Sequence, residues 1–452
     1  MAKTRKSGNP AVRAGVNSST TVGGKSKGAQ TIGLFGAVAI GLASMLGAGV
    51  FVVFHSAYLI AVGGLFWALA LAALVACLNS WSIYSMARKL DRPGGVYSYA
   101  REYLNPTSSF LAGFAFVFGK IGSIAAIALA FNLYLAPGVG FVPAAVAIVI
   151  LTLINISGIQ RTALMSAILA VLTGGYLLIL TIAGFNTPAY TALTSFDPTQ
   201  GLSFQGIFGA AAIFFFAFAG YARVATLGNE VSKPKQNIPR AIVISLGLVI
   251  ALYFALALVL VKFEGTTLGI IAAPIGELAS LVFGGVGTLG TWVTFIAALA
   301  CLGSMLALLA GVSRTSAVMA QDRELPKFFE VRNRKGVPYR AEIAIAAGAI
   351  ALTVIGDVTW VIGFSSFSVL FYYAVGHLTV LRQPKKDRVI PKWAAWLGFG
   401  LCALLAAAIP GPAVPVSTAI LVIAFLLRRF VSARAAKKAV AEQQDIYLGE
   451  QD

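Results

Sequence analysis

The sequence predicts an all-α membrane protein of about twelve transmembrane helices, and three observations carry that prediction. Apolar residues make up 58% of the 452-residue chain and charged residues only 11%, a balance foreign to a water-soluble domain. Apolar segments recur, each near the ~20 residues that a bilayer core demands. Lys and Arg gather in alternate connections between these segments, the asymmetry that marks the cytoplasmic side of a membrane.

In chain order, residues 1–29 read as a disordered basic tail, with Lys3, Arg5, Lys6, Arg13, Lys25 and Lys27 among Gly and Ser. The run that follows is long enough to span and is not a cleavable signal. The predicted spans are 31–56, 58–87, 107–135, 141–159, 163–186, 206–228, 240–262, 286–318, 341–357, 360–381, 393–410 and 413–429, within a domain covering 30–430. The stretches 186–205 and 263–285 are longer outer connections, and Pro274 in the second suggests a short surface helix. Residues 431–452 form a second tail.

Orientation follows from the connections. Arg88, Lys89, Arg92 and Arg101 follow the second segment, and Arg161 the fourth. Lys233, Lys235 and Arg240 follow the sixth, and Arg323, Lys327, Arg332, Arg334, Lys335 and Arg340 the eighth. The ends of segments ten and twelve are basic too, whereas the opposite connections hold little besides Lys262. Both termini are therefore expected in the cytoplasm, with the chain multi-pass in the cytoplasmic (inner) membrane.

The net charge of +18 would point a soluble chain toward nucleic acid, but its placement makes the lipid bilayer the partner instead. Cys77, Cys301 and Cys402 lie in apolar runs as small core residues. His55 and His377 are far apart, so no metal site or cofactor is expected. No connection is large enough to house a soluble catalytic domain, so an enzyme is not expected.

Two segments carry the chemistry because their apolar runs are interrupted. The first reads Ser44-Met45-Leu46-Gly47-Ala48-Gly49-Val50, the second Ala217-Phe218-Ala219-Gly220. Unwound backbone at membrane depth survives only inside protein or beside a polar cavity. An N–H-rich start of the second half-helix, after Gly47, suits a carboxylate. Carbonyls around Ser44, Met45 and Leu46 suit an ammonium group. The two segments run in opposite directions, five apart, as expected of inverted five-helix repeats over about 31–186 and 206–381 with two extra helices at 393–429. Such a pair offers both half-helix ends to one small zwitterion. The plainer alternative is a small-residue packing face. Phe218 is either an aromatic gate or an ordinary core side chain.

These stretches and their loops resemble the amino acid–polyamine–organocation (APC) superfamily of permeases over roughly residues 30–430. Gly47-Ala48-Gly49-Val50-Phe51 is similar to the family's Gly-Ser-Gly-Ile-Phe break, with Ala for Ser. Arg92-Pro93-Gly94-Gly95-Val96-Tyr97-Ser98-Tyr99 resembles the loop after its second helix. Phe215 to Tyr221 with Glu230 and Pro239-Arg240, and Arg314 through Asp322 to Leu325-Pro326, resemble its sixth helix and the loop after its eighth. The resemblance implies a LeuT-like fold, substrate contacts through backbone at both breaks, and alternating access.

One departure matters. Many relatives carry an acidic residue soon after the second break, where this chain has Arg223. Segment three adds Lys120, roughly 20 Å from its inner end at ~1.5 Å per residue. Intramembrane cations are costly, so both are functional candidates. Three roles are open: Lys120 as the proton carrier of transport, one or both cations as partners of an anionic substrate side chain, or both capping helix carbonyls. Ser304 in segment eight is the hydroxyl a sodium site would use, but the lysine favours proton coupling or exchange.

The reading is a secondary active permease moving amino acids or related compounds, with protons as a possible second partner. Its competitors are an anion-selective channel and a non-transporting membrane sensor.

Overall fold

A mostly apolar stretch extends from Leu34 to Ala61, and two helices form in it, α1 (Leu34–Met45) and α2 (Gly49–Ala61). Leu46, Gly47 and Ala48 make a turn between them. No side chain caps the start of α2 at this turn. Small residues are what let the chain turn while both half-helices stay packed.

The computed structural model describes residues 32–89, 94–158, 163–188, 197, 199–221, 224, 231–268, 272–284 and 288–430. After a 3₁₀ turn at Val62–Gly64 come α3 (Leu65–Ala87), α4 (Val96–Tyr103), α5 (Pro106–Leu135), α6 (Val142–Ile156), α7 (Ala163–Asn186) and α8 (Phe204–Phe218). A 3₁₀ turn at Ala219–Tyr221 ends α8. Then follow α9 (Pro234–Lys262), α10 (Pro274–Phe283), α11 (Trp292–Gln321), α12 (Tyr339–Ile355), α13 (Val358–Arg382), α14 (Lys392–Ala408) and α15 (Ala413–Phe430). Among the described residues there is no strand; Ile32 and Val231 form an isolated bridge.

Eight helical stretches among the described residues are long and apolar enough to cross a membrane, with four shorter apolar helices besides. The sequence led us to expect more long spans. The difference arises because α1 stops at its break and α6, α12 and α14 are short. The second predicted segment also begins later than expected, at Leu65, because Val62 turns the chain with φ +44°.

Helices α5 and α13 are the central posts: 72% and 78% of their most apolar windows are buried, against 22% for α15. Their contact is close because α5 presents glycine. A Cβ on Gly119 would stand 2.7 Å from Ser368 Cβ, and one on Gly122 2.8 Å from the Phe364 ring. Ser123 and Ser365 join hydroxyls across the same seam at 2.7 Å. Small residues and hydroxyls are the usual adhesive between helices where water supplies no driving force.

Two further devices hold polar groups inside. His377 of α13 bonds Asn79 through Nε2 and Ser82 through Nδ1, both at 2.8 Å, tying α13 to α3. The Cys402 thiol of α14 donates to the same Asn79 oxygen at 3.3 Å. Lys262, the exception to the charge asymmetry, donates to the carbonyls of Gly184, Phe185 and Thr187. It thereby caps the C-terminus of α7, where a cation is favourable. Cys301 and Cys402 are buried as expected, but Cys77 is exposed on α3, on a face left open to the surroundings. The short helix expected around Pro274 is α10, with Ile275, Leu278 and Ala279 buried.

Candidate functional site

The two interrupted segments meet. A Cβ on Gly49 would lie 2.7 Å from the Ala217 Cα, and one on Gly220 would strike the carbonyl of Ser44. Backbone therefore touches backbone at both ends of the crossing, and only glycine permits it. Ser44, Met45, Leu46, Gly47, Ala48, Gly49 and Val50 come together with Ala217, Phe218, Ala219 and Gly220 in one place, and all but Ser44 and Gly220 are buried.

Each end of the break has a defined hydrogen-bond state. Leu46 N–H donates to Leu42 O at 2.7 Å, and Phe51 N–H to Ala48 O at 3.1 Å. The N–H groups of Gly49 and Val50, in the first turn of α2, have no intrahelical acceptor, as at any helix start. They are the donors an anion would use. The carbonyl end is partly engaged. Met45 O accepts from Tyr253 Oη of α9 at 2.8 Å, and the Ser44 hydroxyl turns back to Ile40 O at 2.7 Å. Sequence reasoning missed Tyr253, which no motif singles out.

Aromatic rings enclose the crossing. Phe218 is fully buried with its centroid 5.1 Å from that of Tyr253, and Phe54 packs edge-on to both Phe214 and Tyr253. Phe51 packs edge-on to Tyr134, whose hydroxyl donates to Phe51 O at 2.9 Å. On the other side of the turn lies Ser304 of α11: a Cβ on Gly47 would strike its Oγ. That hydroxyl is buried without a hydrogen-bond partner.

Lys120 is 9% exposed, halfway along α5. It shares a helix face with Gly113, seven residues earlier, which packs against Tyr97 and Met319. No carboxylate stands within ion-pair distance of it among the described residues. Arg223 lies outside the described residues, as do Glu230, Arg92 and Pro93. Glu342, which the sequence reading passed over, is wholly buried in the first turn of α12, with Asn155 and Arg314 beside it. Its signal was available as an acid inside an apolar segment. Among the described residues no group of three or more His, Cys, Asp or Glu is placed to hold a metal ion.

At one end of the bundle the loop motifs join into a polar chain. Gly94 and Gly95 have φ of +111° and +59°, which turns the chain so that Val96 N–H donates to Tyr372 Oη at 2.9 Å. Tyr97 Oη donates to Asp322 at 2.7 Å, and Arg101 pairs with the same carboxylate at 3.1 Å. Burial and that carboxylate hold the Tyr97 phenol above its ordinary range. Arg101 also reaches Glu324 at 3.9 Å, and Arg428 grips Glu324 with two nitrogens at 2.7 and 3.1 Å. Helices α4, α11 and α15 are thereby fastened together.

A family model described as amino acid permease matches residues 32–434. An uncharacterized transporter of Mycobacterium tuberculosis is 38% identical over 92% of this chain and 95% of its own length. The methylthioribose transporter of Bacillus subtilis is 25% identical over 67% of this chain and 69% of its own. Cationic amino acid transporter 4, vacuolar, of Arabidopsis thaliana is 28% identical over 76% and 61% respectively.

Proposed function

This chain belongs to the amino acid permease family of the APC superfamily, and on that premise we propose that it carries an amino acid, or a close chemical relative, across the membrane by alternating access. It is a multi-pass membrane protein of a transporter family. The finer reading is a twelve-span, LeuT-like bundle with inverted repeats over about 31–186 and 206–381. Two further helices lie at 393–429, and the tails 1–29 and 431–452 stay in the cytoplasm. The basic connections support that orientation in the inner membrane.

One observation carries the proposal: Gly49 lies against Ala217 and Gly220 against Ser44, so both breaks address the same small volume. The substrate carboxylate takes the N–H groups of Gly49 and Val50. The ammonium takes carbonyls of the Ser44–Leu46 end, where Met45 O is already oriented by Tyr253. Ala217 to Gly220 close the opposite side. Lys120 couples transport to protons or balances exchange, and Arg223 reads the substrate side chain. Two relatives, a methylthioribose transporter and a cationic amino acid transporter, are named for different cargoes.

The test is counterflow in proteoliposomes, after a thermal-shift screen of common amino acids and polyamines. Saturable, trans-stimulated uptake of a hit is the expected result. Ohmic current without counterflow would replace the carrier with a pore.

A further inference from the structure

A cavity of about 270 Å³ lies away from the helix crossing, lined by Thr107, Phe425, Arg428 and Arg429. It sits between the first turn of α5 and the last turn of α15. We propose that this groove binds the phosphate of an anionic glycerophospholipid.

Position comes first. On α15, Val422, Ile423, Leu426 and Leu427 are each about half exposed, and the helix is the least buried of the long apolar stretches. In a membrane protein such a face meets acyl chains. The apolar run then gives way to Arg428 and Arg429, the change from hydrocarbon to headgroup depth. The groove therefore opens where lipid phosphates lie.

Charge comes second. Among the described residues, the ion-pair cluster at the groove with Arg429 beside it holds Arg101, Arg428 and Arg429 against Asp322 and Glu324, one cation in excess. Arg101 serves Asp322, and Arg428 is committed to Glu324 on one side and to Thr107 Oγ1, at 2.9 Å, on another. Arg429 is exposed and has no partner among the described residues. An unneutralised guanidinium with a planar fork of donors matches a phosphodiester.

The remaining lining fits the same ligand. Thr107 accepts from Arg428 and so keeps its own hydroxyl hydrogen to donate. Arg428 is stiffened from below by the Phe110 ring, 5.4 Å from its guanidinium carbon. The Phe425 ring offers an apolar wall for the glycerol and the first acyl carbons. Basic pockets between helices at the membrane surface are established binders of acidic headgroups. A lipid here would clasp α15 to α5, and through Glu324 to the loop that follows α11. The inference needs only that the chain is embedded in a bilayer, not the substrate reading, so either can fail without the other.

The full-length protein in neutral detergent, titrated with phosphatidylglycerol or phosphatidylcholine, tests it by thermal unfolding and by native mass spectrometry. Phosphatidylglycerol is expected to raise Tm and leave one retained adduct, while phosphatidylcholine does neither. Arg429→Gln should weaken that binding at least fivefold yet keep the wild-type Tm in phosphatidylcholine, because the side chain is unpartnered. Arg429→Lys should fall between. Equal binding by wild type and Arg429→Gln would overturn the proposal. So would equal stabilisation by inorganic phosphate alone, which would make the ligand a soluble anion.

Discussion

The Tyr253 hydroxyl donates to the Met45 carbonyl at 2.8 Å, linking α9 to the last residue of α1 before the break. One orphan carbonyl of a helix end is thus satisfied by a side chain from elsewhere in the bundle. The Tyr253→Phe variant leaves that buried carbonyl without its donor. A loss of about 1–3 kcal/mol is expected, read as a lower Tm, together with a raised KM for uptake. An unchanged Tm and KM would mean that the hydroxyl does not set the geometry of the break.

The glycines at the crossing are replaceable only at the cost of the contact. Gly220→Ala drives a methyl into the Ser44 carbonyl, and Gly49→Ala drives one toward the Ala217 Cα. At least tenfold less uptake is expected from each, measured at equal amounts of protein in the membrane. Gly175 and Gly247 provide the comparison, since a Cβ at either meets no heavy atom within 4 Å. Alanine there should spare uptake and add up to about 1 kcal/mol of helix stability. Equal loss at all four positions would indicate general damage and remove the special role of the crossing.

Much of this architecture was legible in the sequence because membrane helices obey one-dimensional rules. Apolar length located α5, α7 and α13 within a few residues, and Gly47-Ala48-Gly49 marked where α1 ends. Partners across space left no such trace. Nothing local marks Tyr253 as the donor to Met45, or joins Tyr97 to Asp322 across 225 positions. Ser365, Ser366, Ser368, Phe371 and Tyr372 of the tenth segment admit two readings from sequence, an outer-gate lining or ordinary helix packing. In the structure Ser365 bonds Ser123 within the α5–α13 seam, and Tyr372 bonds Val96 beside α4. Phe218 carried two readings, and its burial against Tyr253 places it in the enclosing shell.

The Glu324–Arg428 pair is two-pronged and shielded, with side chains 9% and 19% exposed. Such a pair resists screening better than a surface one. A double-mutant cycle with Glu324→Gln and Arg428→Gln should give a coupling of about 0.5–3 kcal/mol, changed little between low and high salt. Strict additivity would show that α15 is not held through this contact.

Tyr97 gives a pH test outside the membrane-spanning segments. Its phenol is raised by burial and by Asp322, so the protonated donor persists beyond the ordinary phenol value of about 10. The stabilisation is therefore fully present below that value and is lost only as pH climbs through the raised one. Tyr97→Phe should lower Tm by the same amount at pH 6 and pH 9. No deficit at pH 6 would mean that the bond to Asp322 adds nothing to stability.

Lys120 tests the coupling proposal. It is almost fully enclosed in α5 with no carboxylate partner at ion-pair distance among the described residues, so its charged form is not held by a fixed counter-ion. A lysine in that state is able to gain and lose a proton as its surroundings alternate, whereas arginine stays charged. If Lys120 carries the proton, Lys120→Ala should leave uptake that no longer varies between pH 5.5 and 8, and Lys120→Arg should retain exchange but lose accumulation driven by a pH gradient. Arg223→Ala, measured alongside, should weaken acidic substrates selectively if that side chain reads them. A wild-type pH profile in Lys120→Ala would transfer coupling to another group, and the buried Glu342 of α12 would be the next to replace.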